Sequence, residues 1–115
     1  MDLYDAMSTL RAVRRLRPDP IADEIIERVL TAATWAPTGG NTQPWRIVAV
    51  TDPAKKQALQ DLYSPHWDTY IPGYEARLEH MPEEVKSSSI KAMEAGNYLA
   101  SHMHEVPMIA VFCFN

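Results

Sequence analysis

The chain has 115 residues, 46% hydrophobic and 23% charged, which is enough for one core and too little for two domains. Its formal net charge of −4 argues against general nucleic-acid or anionic-membrane binding, because both partners reward a basic surface. The single cysteine, Cys113, excludes an intrachain disulfide framework and a cysteine-based metal site. With no apolar run near membrane-span length and no signal-peptide order at the N-terminus, the expected location is the cytoplasm.

In chain order, Leu3, Ala6, Met7 and Leu10 carry helical spacing, so a helix is expected from Asp2 to Leu10 with Asp2 as its cap. Arg11, Arg14, Arg15 and Arg17 follow, and Pro18-Asp19-Pro20 ends any helix there. Ile25, Ile26, Val29, Leu30 and Ala33 form a wide apolar stripe, predicting a second helix from Ala22 to Trp35. The β-branched run from Arg46 to Thr51 fits a strand covered on both faces. Asp52-Pro53 opens a third helix expected to end near Tyr63.

From Ser64 to Gly73, aromatics alternate with Pro65, Pro72 and Gly73. This predicts an irregular loop that either covers a pocket or packs beneath the surface, with a short helix from Glu75 to Met81 behind it. A last helix is expected from Pro82 to His104, and the apolar run from Val106 to Phe114 reads as a second buried strand. Two such strands cannot cover one another's edges, so further strands from elsewhere are expected.

Two features carry chemistry. The arginine cluster suits bidentate contacts to a phosphate or carboxylate, although arginines at a helix end also simply complement the dipole or pair with nearby Asp residues. The segment Ala36-Pro37-Thr38-Gly39-Gly40-Asn41-Thr42-Gln43-Pro44-Trp45 sets two prolines around a glycine pair and two amide side chains. It offers a rigid edge rich in donors and acceptors, suited to a flat, polar-edged ligand, while a capping glycine followed by an ordinary turn is the plainer reading. Asn41 and Gln43 either meet that ligand or brace the turn itself. Trp45 is expected in the core and Cys113 as inert packing within its strand. His102 and His104, at i, i+2, have poor metal geometry and read as surface or satisfied core histidines. No catalytic triad, P-loop or zinc site is visible.

Together the two features resemble the N-terminal signature of the flavin-dependent nitroreductase family. Leu10-Arg11-Ala12-Val13-Arg14 stands where that family has an Arg-Arg-Ser-x-Arg-like flavin-binding segment, with Leu10 and Ala12 departing from it. Ala36 to Trp45 matches its Ala-Pro-Ser-x-x-Asn-x-Gln-Pro-Trp-like segment closely. The resemblance implies an α+β fold, a central sheet flanked by helices, of which residues 1–115 are the N-terminal portion. It implies an FMN-dependent oxidoreductase that takes hydride from NADPH or NADH and delivers it to a small-molecule acceptor such as a nitroaromatic or quinone. It also implies a homodimer with flavin at the interface, with neither nucleic acid nor membrane as partner. The implied cofactor-binding residues are Arg11, Ala12, Arg14, Arg15, Pro37, Thr38, Gly39, Asn41 and Gln43. Trp67, Tyr70 and Tyr74 are candidates for the acceptor pocket. The competing expectation is a non-catalytic flavin-binding or interaction fragment that needs a complementary half.

Overall fold

A computed structural model describes residues 2–114. Helix α1 spans Leu3–Thr9, and the Asp2 carboxylate caps it by accepting from the Tyr4 N–H at 3.2 Å. Helix α2, Asp23–Thr34, places Asp23 and Glu24 in its first turn, where the dipole favours them. Strand β1 is Trp45–Val50, one residue earlier than expected. Asp52 then caps helix α3 through the Lys55 N–H at 2.9 Å, with Pro53 in the first turn, where its missing donor costs nothing.

Helix α3 departs most from expectation. It runs unbroken over Pro53–Leu78, through Pro65 and Pro72, and replaces both the irregular loop at 64–73 and the separate short helix at 75–81. A proline inside a helix costs roughly 3 kcal/mol, since it removes one i→i−4 bond and crowds the preceding turn. Several contacts offset that cost. Tyr63, Trp67, Tyr70 and Tyr74 recur at helical spacing and form a continuous ladder of rings. Trp67 Nε1 also donates to Asn97 Oδ1 on the next helix at 2.8 Å, and Asp61 and Asp68, whose carbonyls lose their partners, are exposed to water.

Helix α4 spans Glu83–His102 and continues into a single 3₁₀ turn, Met103–Glu105. Strand β2, Ile109–Phe114, pairs antiparallel with β1 in the register Trp45↔Phe114 to Val50↔Ile109. The buried apolar side chains are Leu78, Ala100 and Val106, so the core lies where α3, α4 and the turn before β2 converge. Lys56 is buried beside them and its ammonium donates to the Val106 carbonyl at 2.6 Å, tying the entry of β2 to α3. Gln60 Oε1 accepts from the His104 N–H at 3.0 Å and fixes the same turn.

The strands are not covered on both faces: Val48, Phe112 and Phe114 are 49%, 55% and 74% exposed. The accessible surface is 8978 Å², against about 6,300 Å² for a compact monomer of this size. The radius of gyration is 17.2 Å, where about 13 Å suits a compact domain of this length. Apolar faces of both strands and of α2 are therefore left open to solvent. Among the described residues no helix is long and apolar enough to cross a membrane.

Candidate functional site

The turn between α2 and β1 is built by its own side chains. Thr38 O accepts from the Asn41 N–H at 2.9 Å, closing a 3₁₀ turn over Gly39–Asn41. The Thr38 hydroxyl accepts twice from Gln43, from its backbone N–H at 3.1 Å and from Nε2 at 3.1 Å. Gln43 Nε2 also donates to Asn41 Oδ1 at 2.9 Å. Asn41 and Gln43 thus do brace the turn.

That bracing holds an unusual backbone. Gly40 sits at φ 59°, as glycine readily does, but Asn41 at 53° and Gln43 at 47° also occupy the left-handed region. Asparagine tolerates this conformation; for glutamine it costs on the order of 1 kcal/mol or more. The strain persists because three hydrogen bonds over-determine it. A Cβ at Gly39 would meet no atom within 4 Å, so the backbone there is open to close approach. Among the described residues the N–H groups of Gly39 and Gly40, Asn41 Nδ2 and Gln43 Oε1 have no hydrogen-bond partner. This set of amide donors and one amide acceptor is open to a flat, polar-edged ligand, and the exposed arginines are open to an anion.

Pro37 is exposed and Thr38 half-buried at the base of the turn. Trp45, expected in the core, is half-buried instead and borders an open cleft of about 830 Å³ between α2 and β1, with Ile26, Leu30, Gln43 and Ile47. Cys113 is a second correction: it is exposed on β2 opposite Arg46, because nothing among the described residues covers that end of the sheet.

The arginine segment leaves α1 and lies on the α3–α4 pair. Arg11 donates to the carbonyls of Ser8 and Leu10 at 3.1 and 2.7 Å, and the guanidinium remains exposed. Ala12 is exposed, and Arg14 donates to its carbonyl at 3.5 Å. Arg15 stacks 4.1 Å above the Tyr98 ring of α4, a cation–π contact that holds this segment in place. Arg17 pairs loosely with Asp19 at 3.5 Å, and both side chains are exposed.

Arg14 is half-buried, and it lines a cleft of about 450 Å³ together with Tyr63, His66, Trp67, Tyr70 and Tyr74. The structure thus brings Arg14 to the aromatic residues, and it sets Pro37, Thr38, Gly39, Asn41 and Gln43 beside α2 and β1. The cleft that holds Arg14 includes no residue of the turn. Tyr63 and His66 were not foreseen as lining residues; the spacing 63, 67, 70, 74 was the available signal, and the two prolines concealed it. Among the described residues no group of three or more His, Cys, Asp or Glu side chains is placed to hold a metal ion.

Comparison with known proteins agrees with this architecture. A model of the Nitroreductase family matches residues 8–114. NADH dehydrogenase of Thermus thermophilus is 44% identical over 61 residues, covering 53% of this chain and 30% of that protein. Among solved structures, oxidized iodotyrosine deiodinase bound to FMN and 3-iodo-L-tyrosine superposes with a TM-score of 0.68 at 22% identity, over 96% of this chain and 55% of that one. The FMN-dependent nitroreductase NfnB from Mycobacterium smegmatis, in complex with NADPH, does so with a TM-score of 0.54 at 18% identity, over 96% of this chain and 60% of that one. The chain spans less than two thirds of the length of each of these relatives. The shared fold follows from the two structures, and the match across residues 8–114 shows that the chain belongs to the nitroreductase family.

Proposed function

We propose that this chain provides the N-terminal part of an FMN-dependent oxidoreductase that takes hydride from NADH or NADPH and reduces a small-molecule acceptor such as a nitroaromatic or a quinone. The observation that carries the reading is the strained turn at 38–43, whose unpaired amides and open Gly39 backbone offer a ready edge for a ring. The nicotinamide-linked relatives support the choice of reductant. FMN, when bound, supplies the two-electron chemistry, and the protein supplies position and electrostatics.

Arg11, assisted by the backbone at Ala12 and by Arg15, holds the phosphate, and Arg14 stands between the phosphate segment and the aromatic cleft. Pro37, Thr38 and Gly39 line the ring from one side, while Asn41 and Gln43 keep the turn in shape and present their remaining amide groups. The exposed strands and α2 suit a homodimer with flavin at the interface, in the cytoplasm. A second reading is favoured by the small core: the chain binds flavin but turns over only with a complementary half.

Anaerobic addition of NADH or NADPH to the purified protein tests both. Yellow protein that bleaches supports the oxidoreductase. Yellow protein that does not bleach supports the second reading, and colourless protein that takes up no added FMN overturns the flavin assignment. Arg11→Ala is expected to lower flavin occupancy, and unchanged occupancy removes Arg11 from the phosphate site.

A further inference from the structure

Among the described residues Lys56 is the one buried charged side chain, 8% exposed, and the flavin assignment does not use it. Its ammonium has three N–H donors, of which one goes to the Val106 carbonyl at 2.6 Å. The other two have no acceptor among the described residues. No carboxylate there lies within ion-pairing distance of Lys56 either, since the ion pairs are Arg17 with Asp19 and His104 with Glu105. An ammonium taken out of water with only a neutral partner is costly, and a counter-charge offsets that cost.

The space beside Lys56 can admit one. Lys56 lines a cavity of about 340 Å³ between the extended 18–21 segment, the start of α2 and the entry of β2, within the usual range of roughly 300–1,000 Å³ for small-ligand pockets. Pro18, Pro20, Ile21 and Pro107 form apolar walls. The three proline rings fix φ along those walls, so little backbone freedom is lost when a ligand enters. Neither the arginines at 11–17 nor the turn at 38–43 lines this cavity.

The charges on the lining decide the ligand class. The only carboxylate on it is Asp23, exposed at the first position of α2, and the only cation is Lys56. The two do not pair with each other. A simple anion would meet Asp23, and a simple cation would meet Lys56; a molecule carrying both charges satisfies both groups. We propose that this cavity binds a small α-amino acid as its zwitterion, with the carboxylate on the Lys56 ammonium, the ammonium on Asp23 and an apolar side chain against the prolines.

Calorimetric titration of the purified protein with L-valine, with isovalerate, which lacks the ammonium, and with isobutylamine, which lacks the carboxylate, tests the proposal. Valine is expected to bind at least about tenfold more tightly than either analogue, equivalent to about 1.4 kcal/mol. In Asp23→Asn the preference over isovalerate falls to near unity while that over isobutylamine persists. In Lys56→Met the pattern is reversed. Circular dichroism checks the fold of each variant, and should Lys56→Met fail to fold, the exposed Asp23→Asn change decides alone. Absence of valine binding, an analogue that binds as tightly as valine, or a preference over isovalerate that survives in Asp23→Asn overturns the proposal. Added FMN is expected to leave the valine affinity unchanged; direct competition between them overturns the proposal, because the cavity is then the cofactor's own.

Discussion

Replacing Gly96 by alanine is expected to destabilise the α3–α4 pair, although the same change in an unobstructed helix would stabilise it. Gly96 is buried in α4, and a Cβ built there would lie 2.8 Å from both Cη2 and Cζ2 of Trp67. Carbon atoms pack at about 3.5–4.0 Å, so the indole must move by the better part of an ångström. It is held, however, by the 2.8 Å bond from Nε1 to Asn97 Oδ1, the residue after Gly96, and by Tyr63 and Tyr70 on either side. Overpacking of this kind costs about 1–3 kcal/mol, and loss of the indole hydrogen bond about 1 kcal/mol more. The helix gains only about 1 kcal/mol from glycine to alanine, which offsets the hydrogen bond and leaves about 1–3 kcal/mol of net destabilisation. Urea unfolding followed by far-UV circular dichroism measures it. Trp67→Leu in the same background removes the obstruction, so the double variant should lose much less than the sum of the two single changes. A Gly96→Ala protein that is more stable than the parent, with unchanged tryptophan emission, refutes the reasoning, because Trp67 would then not occupy the glycine notch.

Lys56→Met keeps the aliphatic bulk but leaves the buried Val106 carbonyl unpaired, and a loss of about 1.5–3 kcal/mol in urea unfolding is expected. Pro72→Ala restores a backbone donor in the C-terminal part of α3 and should stabilise the protein by up to about 3 kcal/mol; destabilisation would show that α3 does not run through this position. At Asn41, glycine preserves the φ 53° backbone while alanine opposes it. Asn41→Ala should therefore lose about 1 kcal/mol of stability relative to Asn41→Gly in matched thermal melts, and equal melting temperatures would place no strain there.

The elements whose signals are local were legible before the structure. Helix α2 has a continuous apolar stripe with acidic residues in its first turn, and its observed limits lie one residue inside those expected. Asp52-Pro53 opened α3 as its capping chemistry requires. The departure at 64–73 has a physical origin: the intrinsic cost of two prolines is offset by the ring ladder along α3 itself and by the Trp67–Asn97 contact, whose partner lies on α4. Trp45 and Cys113 were misplaced for a related reason, since an apolar run shows that a strand needs cover but not that cover is present in the same chain.

By itself the sequence determined the turn at 36–45 and the arginines one helix earlier, because proline, glycine and amide chemistry act within a few residues. It also determined the family, through those same segments. Only the tertiary structure decided that α3 continues through two prolines and that Arg14 lies at an aromatic cleft. Those outcomes depend on contacts between residues far apart in the chain, such as Trp67 with Gly96 and Asn97, and Lys56 with Val106. Local propensity sets the starting preference; packing of about 1–3 kcal/mol per contact is large enough to reverse it.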